Sequence, residues 1–145
     1  MATLHALEIG APAPPFDASD EQGHRHRLAE YRGETLLLCF LPVQRGRPKR
    51  DLAEAYPGTG SKAIYILGVQ RGTPPQIGEL KRHTHVPFPI LADADGRIAD
   101  QYGVADTVAK GQMAYVAVDS EGHVKLVLKR VSNPRHVYEL LRRLT

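Results

Sequence analysis

Cysteine is nearly absent from this sequence: Cys39 is the only one among 145 residues. A single thiol excludes an internal disulfide framework, a dithiol redox pair and an all-cysteine metal site. Tryptophan is missing and aromatic residues make up 6% of the chain, so platforms for stacking nucleic-acid bases are sparse. No apolar run approaches the roughly eighteen residues that a membrane-spanning helix needs. The first residues, Met1–Glu8, lack a basic stretch followed by an apolar core, so they do not read as a secretory signal, and a cytoplasmic protein is expected. An excess of one charge is also lacking. Nineteen Lys and Arg are mixed with sixteen Asp and Glu for a formal net charge of +3, which permits contact with anions without demanding nucleic acid.

The residues that are present suit one folded unit. The chain is 42% apolar, and no repeat, low-complexity tract or Ser/Gly linker divides residues 1–145. Pro12, Pro14 and Pro15 stiffen the approach to Phe16 and bar a helix there. A short strand over Phe16–Ser19 turns at Asp20–Gly23 into His24–Leu28, a hairpin pattern. Thr35–Leu41 is a continuous apolar run ended by Pro42, as expected of a central strand covered on both faces. Residues 47–56, with Pro48 near the first turn, read as a helix ended by Pro57 and Gly58.

Ala63–Val69 reads as a second buried strand. Thr73 is placed to cap a helix that opens with Pro74 and Pro75 and runs to about His83. Pro87–Leu91 is extended, and Asp93–Tyr102 reads as a short helix stopped by Gly103. Ala114–Val118 and His123–Val131 form a second hairpin around Asp119–Gly122. A last helix begins at Ser132 or Asn133 and repeats Val137, Leu140, Leu141 and Leu144 at helical spacing. This order predicts an α/β fold with a mixed central sheet flanked by helices and an N-terminal β-hairpin.

The order and its local signatures resemble the peroxiredoxin branch of the thioredoxin-like fold, the alkyl hydroperoxide reductase/thiol-specific antioxidant (redoxin) family. Gly10–Phe16 is similar to a G-x-x-x-P-x-F opening, Leu28–Gly33 to L-x-x-Y-x-G, and Leu36–Pro42 to a strand ending in F-x-P. Phe88–Asp93 resembles F-P-L-L-x-D, and Tyr102–Val104 resembles Y-G-V. The resemblance extends from about Leu7 to Leu144. It implies a thiol peroxidase whose thiolate sits in the first turn after the F-x-P strand, activated by the helix N-terminus and an arginine. A hydroxyl and the same arginine would hold the peroxide oxygens as charge shifts between them.

Carried over residue by residue, the family's P-x-x-x-T-x-x-C loop keeps its Pro42, but its Thr falls on Gly46 and its Cys on Lys49. The arginine before the next hairpin falls on Gln112, with Lys110 nearby. A thioredoxin-type C-x-x-C would fall on Arg45 and Pro48. An ammonium has no counterpart of sulfenic acid and no disulfide return path. The expectation is therefore a member without thiol peroxidase activity, a binding module that needs no cofactor and no metal.

The remaining candidates each have two readings. Cys39 lies mid-strand, where apolar surroundings disfavour the thiolate; packing is the preferred role, and a weak thiol peroxidase or redox sensor is the alternative. Arg45, Arg47, Lys49 and Arg50 are either a solvated basic loop or, beside a helix N-terminus, a site for a small anion or an acidic protein. His24 with His26, and His83 with His85, share a face if extended, but lack a third metal ligand and are read as surface residues. Asp93 and Asp95 are read as a turn and helix cap rather than an acid–base pair, and Asp119 as a hairpin residue. Lys125, Lys129, Arg130, Arg135, Arg142 and Arg143 form a basic stripe, more simply a wet helix face and strand edge than a nucleic-acid surface. No membrane partner is expected, and members of the resembled family often form homodimers.

Overall fold

A computed structural model describes residues 7–42, 64–86 and 88–131. Two short strands, β1 (Asp17–Ser19) and β2 (Arg25–Arg27), pair as an antiparallel hairpin, with Asp17 opposite Arg27. A 3-10 turn over Leu28–Tyr31 then leads to β3 (Thr35–Phe40). β4 (Ile64–Gln70) is followed by α1 (Pro74–Thr84), β5 (Ile90–Ala92), α2 (Arg97–Gln101) and α3 (Ala105–Ala109). The described chain ends in a hairpin of β6 (Met113–Val118) and β7 (Val124–Val131).

Five strands form one mixed sheet in the order β5-β4-β3-β6-β7. β3 runs parallel to β4, and β4 to β5; β6 is antiparallel to β3 and to β7. The apolar run of β3 therefore sits between two neighbours and is covered on both faces. Leu36, Leu38 and Phe40 enter one core with Val69, Tyr102 and Val108. Leu37, Cys39 and Leu41 enter the other with Ile77, Phe88 and Tyr115. Full burial of each such large apolar side chain contributes about 1.5–3 kcal/mol, so a polar residue within β3 would be costly.

Local sequence explains the ends of α1. The Thr73 N–H donates to Gln76 Oε1 at 2.9 Å and Thr73 Oγ1 accepts from the Gln76 N–H, a reciprocal cap, while Pro74 and Pro75 fill first-turn positions where no N–H is needed. The helix stops at His85, which takes a left-handed conformation with φ 54° and donates its N–H to the Lys81 carbonyl. His83 and His85 thus sit at a helix terminus and not on one extended face.

Three other expectations need correction. The helix expected over Asp93–Tyr102 begins only at Arg97, because Asp93 lies before it and accepts the N–H groups of Ile98 and Ala99 on its two carboxylate oxygens, each at 3.0 Å. A further short helix, α3, comes next, where no helix was expected beyond Gly103. The extended piece expected at Pro87–Leu91 pairs later, over Ile90–Ala92. The helices expected over 47–56 and after Ser132 lie outside the described residues.

Gly68 is the tightest of the described glycines. A Cβ there would lie 2.9 Å from Phe88 Cε1 and 3.2 Å from Ile90 Cγ1, both core side chains with little room to yield. Gly68→Ala should therefore lower unfolding free energy by about 1–3 kcal/mol, the usual range for overpacking. Urea unfolding checks this: the midpoint falls while the slope stays constant.

Candidate functional site

The family resemblance locates the site at the carboxyl end of β3. Phe40 and Leu41 are buried there, and the Leu41 N–H donates to the Val69 carbonyl at 2.9 Å, extending the β3–β4 ladder one residue past the strand. Pro42, half-buried, ends the ladder. On the other side β3 faces β6 with Phe40 opposite Ala114. Of the expected positions, Pro42 and Gln112 lie among the described residues. Gly46, Lys49, Arg45, Arg47 and Arg50 lie outside the described residues.

Gln112 is partly buried and its N–H donates to the Thr107 carbonyl at 3.1 Å, closing the turn after α3. Its carboxamide carries no formal charge, unlike the arginine of the family pattern, so it provides neither the forked cationic donor nor the long-range field that lowers a thiol pKa. Lys110 is exposed at the end of α3.

Cys39 has no exposed surface. It stands in β3 with Gly68 opposite on β4 and Tyr115 opposite on β6, inside the core that α1 covers. Its position three residues before Pro42 separates it from the loop beyond.

Two acids expected to serve as structural groups do so. Both oxygens of Asp93 are taken by backbone N–H groups, and Asp95 accepts the Arg97 N–H at 3.1 Å and pairs with the Arg97 guanidinium at 3.5 Å, so the two do not form an acid–base dyad. Asp119 accepts the N–H groups of Glu121 and His123 and closes the β6–β7 turn; those bonds hold its carboxyl below the usual carboxylate value.

The surface reading of the His24–His26 pair holds for only one of them. His24 is exposed, but the His26 side chain is 15% exposed and bridges two partners. Its Nε2 lies 2.7 Å from Asp20 Oδ2 and its Nδ1 lies 2.8 Å from the Tyr31 hydroxyl. An ionised carboxylate only accepts, so Nε2 carries the proton of that bond, while the Tyr31 hydroxyl meets the ring at Nδ1. Burial, aided by the Glu30 and Asp20 carboxylates, holds the Tyr31 hydroxyl above the ordinary phenol value, so it remains a donor. Alternation along β2 placed His26 on a face without showing that the turn would bring Asp20 back to it. An acid at the start of a turn and a histidine six residues on is the signal that was present. Among the described residues no group of three or more His, Cys, Asp or Glu is arranged to hold a metal ion.

Comparison with known proteins agrees with this geometry. Residues 9–127 match the AhpC/TSA family. The chain belongs to that family. It is 30% identical over 129 residues to a thiol-disulfide oxidoreductase ResA of Geobacillus thermodenitrificans, covering 85% of this chain and 70% of the relative. It is 23% identical over 149 residues to peroxiredoxin Bcp of Bacillus subtilis, covering 95% of each. The crystal structure of a peroxiredoxin-like protein from Aquifex aeolicus superposes with a TM-score of 0.77 at 15% identity, over 97% of this chain and 90% of that one. This member of the AhpC/TSA family thus has the thioredoxin-like peroxiredoxin fold, and no helix among its described residues is long and apolar enough to cross a membrane.

The Asp20 network yields a pH prediction. Burial opposes ionisation of Asp20, but the His26 hydrogen bond and the N–H groups of Gln22 and His24 outweigh it and hold the carboxyl below its ordinary value. A depressed folded-state value means that this stability is complete above the unfolded value near pH 4 and is lost as pH falls through the folded one. Asp20→Asn should cost about 1–3 kcal/mol at pH 7. It should also remove part of the acid dependence, which unfolding curves at pH 7 and at pH 3 will show.

Proposed function

We propose that this member of the AhpC/TSA family has lost thiol-based peroxide and disulfide chemistry and acts as a binding module. Its former catalytic loop, Arg45–Arg50, would present positive charge to a small anion or an acidic protein. The observation that carries this reading is the placement of Cys39, the sole cysteine, at 0% exposure inside β3. Peroxide reduction requires a sulfur that reaches one oxygen of the O–O bond, forms sulfenic acid and releases the other oxygen as water or alcohol. A sulfur covered by α1 and two strand neighbours does not meet an incoming peroxide. Dithiol exchange needs a second cysteine, and the chain has none.

The charge of the loop supports the second half of the reading. Arg45, Arg47, Lys49 and Arg50 fall within six residues, and their mutual repulsion is relieved by a bound anion. Lys49, at the position of the family's cysteine, attracts an anionic group but has no redox chemistry.

Two measurements test the reading. Peroxide consumption with a thiol reductant should stay at the uncatalysed level for the wild type and for Cys39→Ser alike, and a thiol reagent should label the native protein only on unfolding. Enzyme-like turnover that Cys39→Ser abolishes would overturn the loss of chemistry. For the anion site, sulfate at about ten times its Kd stabilises by about 1.4 kcal/mol, or about 3–5 °C in Tm. Arg47→Ala with Lys49→Ala should remove that shift, whereas a shift equalled by chloride at the same ionic strength would dispose of the site.

A further inference from the structure

The parallel strands β3, β4 and β5 deliver their carboxyl ends to one edge of the sheet, where open α/β sheets collect ligands. At that edge Phe40, Leu41 and Val69 line a cavity of about 390 Å³, and Ala99 of α2 and Val108 of α3 complete its apolar wall. All five are buried. The cavity falls in the size range of small-molecule sites and lies at the same carboxyl end of β3 as the site described above; among the described residues Cys39 is not part of its lining.

Among the described residues five charged side chains also line it, and three of them are occupied. Asp93 spends both oxygens on the N–H groups of Ile98 and Ala99, and Asp95 pairs with Arg97. Arg71 and Asp100 are left: among the described residues neither has an ion-pair partner. Both flank Gly96. The Arg71 guanidinium lies across this residue, so that a Cβ on Gly96 would be 3.6 Å from its Nη1. The Asp100 N–H donates to the Gly96 carbonyl at 3.0 Å, one helical turn on. Gly96 itself has φ 77°, a conformation that favours glycine.

We propose that this cavity binds a small zwitterion with an apolar side chain, of the class of the apolar α-amino acids. The carboxylate pairs with the Arg71 fork, which matches carboxylate geometry with two parallel hydrogen bonds. The ammonium pairs with Asp100, and the side chain lies on Phe40, Val69 and Val108. A ligand with only a carboxylate leaves Asp100 uncompensated beside it, and one with only an amine leaves Arg71 so. A zwitterion satisfies both charges at once.

The test is a titration of the full-length isotope-labelled chain followed by amide NMR, with L-leucine, 4-methylpentanoate (no ammonium) and 3-methylbutylamine (no carboxylate) as probes. L-leucine should produce saturable shifts at Gly96, Asp100 and Val108 with a Kd of about 1 mM. Each analogue should bind about tenfold more weakly or worse. Arg71→Ala and Asp100→Ala, both exposed positions, should weaken L-leucine by a similar factor while leaving the β1–β2 amides unmoved, which reports an intact fold. No saturable shift up to about 50 mM overturns the proposal. So do analogues that bind as well as L-leucine, an Arg71→Ala protein that binds unchanged, or shifts that track protein concentration alone because a second copy covers the cavity.

Discussion

β3 is enclosed on four sides. β4 and β6 hydrogen-bond its two edges, and its side chains alternate into two separate cores. A strand so placed has no solvent face, which is why Leu36–Leu41 reads as an unbroken apolar run and why a thiol within it becomes packing material. The other elements are arranged by this strand: α1 covers the face that takes Leu37 and Cys39, and α2 and α3 cover the face that takes Leu38 and Phe40. At the end of the strand the backbone leaves the ladder, with Pro42 only half-buried.

That division between a sealed strand and an open end separates family from function. The fold of the AhpC/TSA family is carried by the strand, the turns and the two cores, all of which this chain retains. The thiol chemistry that the family resemblance implies would rest on a threonine and a cysteine after Pro42 and on an arginine before β6. Here the matching positions carry Gly46, Lys49 and Gln112. A thioredoxin-like sheet holds whatever side chains are set at that edge, so the same scaffold accommodates a thiolate, an ammonium or a cavity with paired charges.

Three acids of this chain hold turns together, Asp20 and Asp93 buried and Asp119 partly exposed. Asp20, Asp93 and Asp119 each accept two backbone N–H groups, closing the first hairpin, the start of α2 and the second hairpin respectively. The same bonds offset the cost of burying a carboxylate and remove these acids from consideration as proton-transfer groups. Arg71 and Asp100 differ in being left over, which is what gives the cavity beside Gly96 its polarity.

Local chemistry determined a good deal of this protein. The apolar run of β3, the Thr73 cap with Pro74 and Pro75 behind it, the Gly-containing turn at Asp119–Gly122 and the ordered family signatures are legible because each depends on neighbours a few residues apart. The same reading established that only one thiol exists. Tertiary structure decided the rest. Asp20 meets His26 and Tyr31 only once the hairpin has closed, Asp93 caps α2 from outside it, and Arg71 comes over Gly96 from the end of β4. Such contacts join positions whose spacing in sequence carries no period, so no pattern of propensity or alternation registers them; they exist only after the sheet has brought the ends of its strands together.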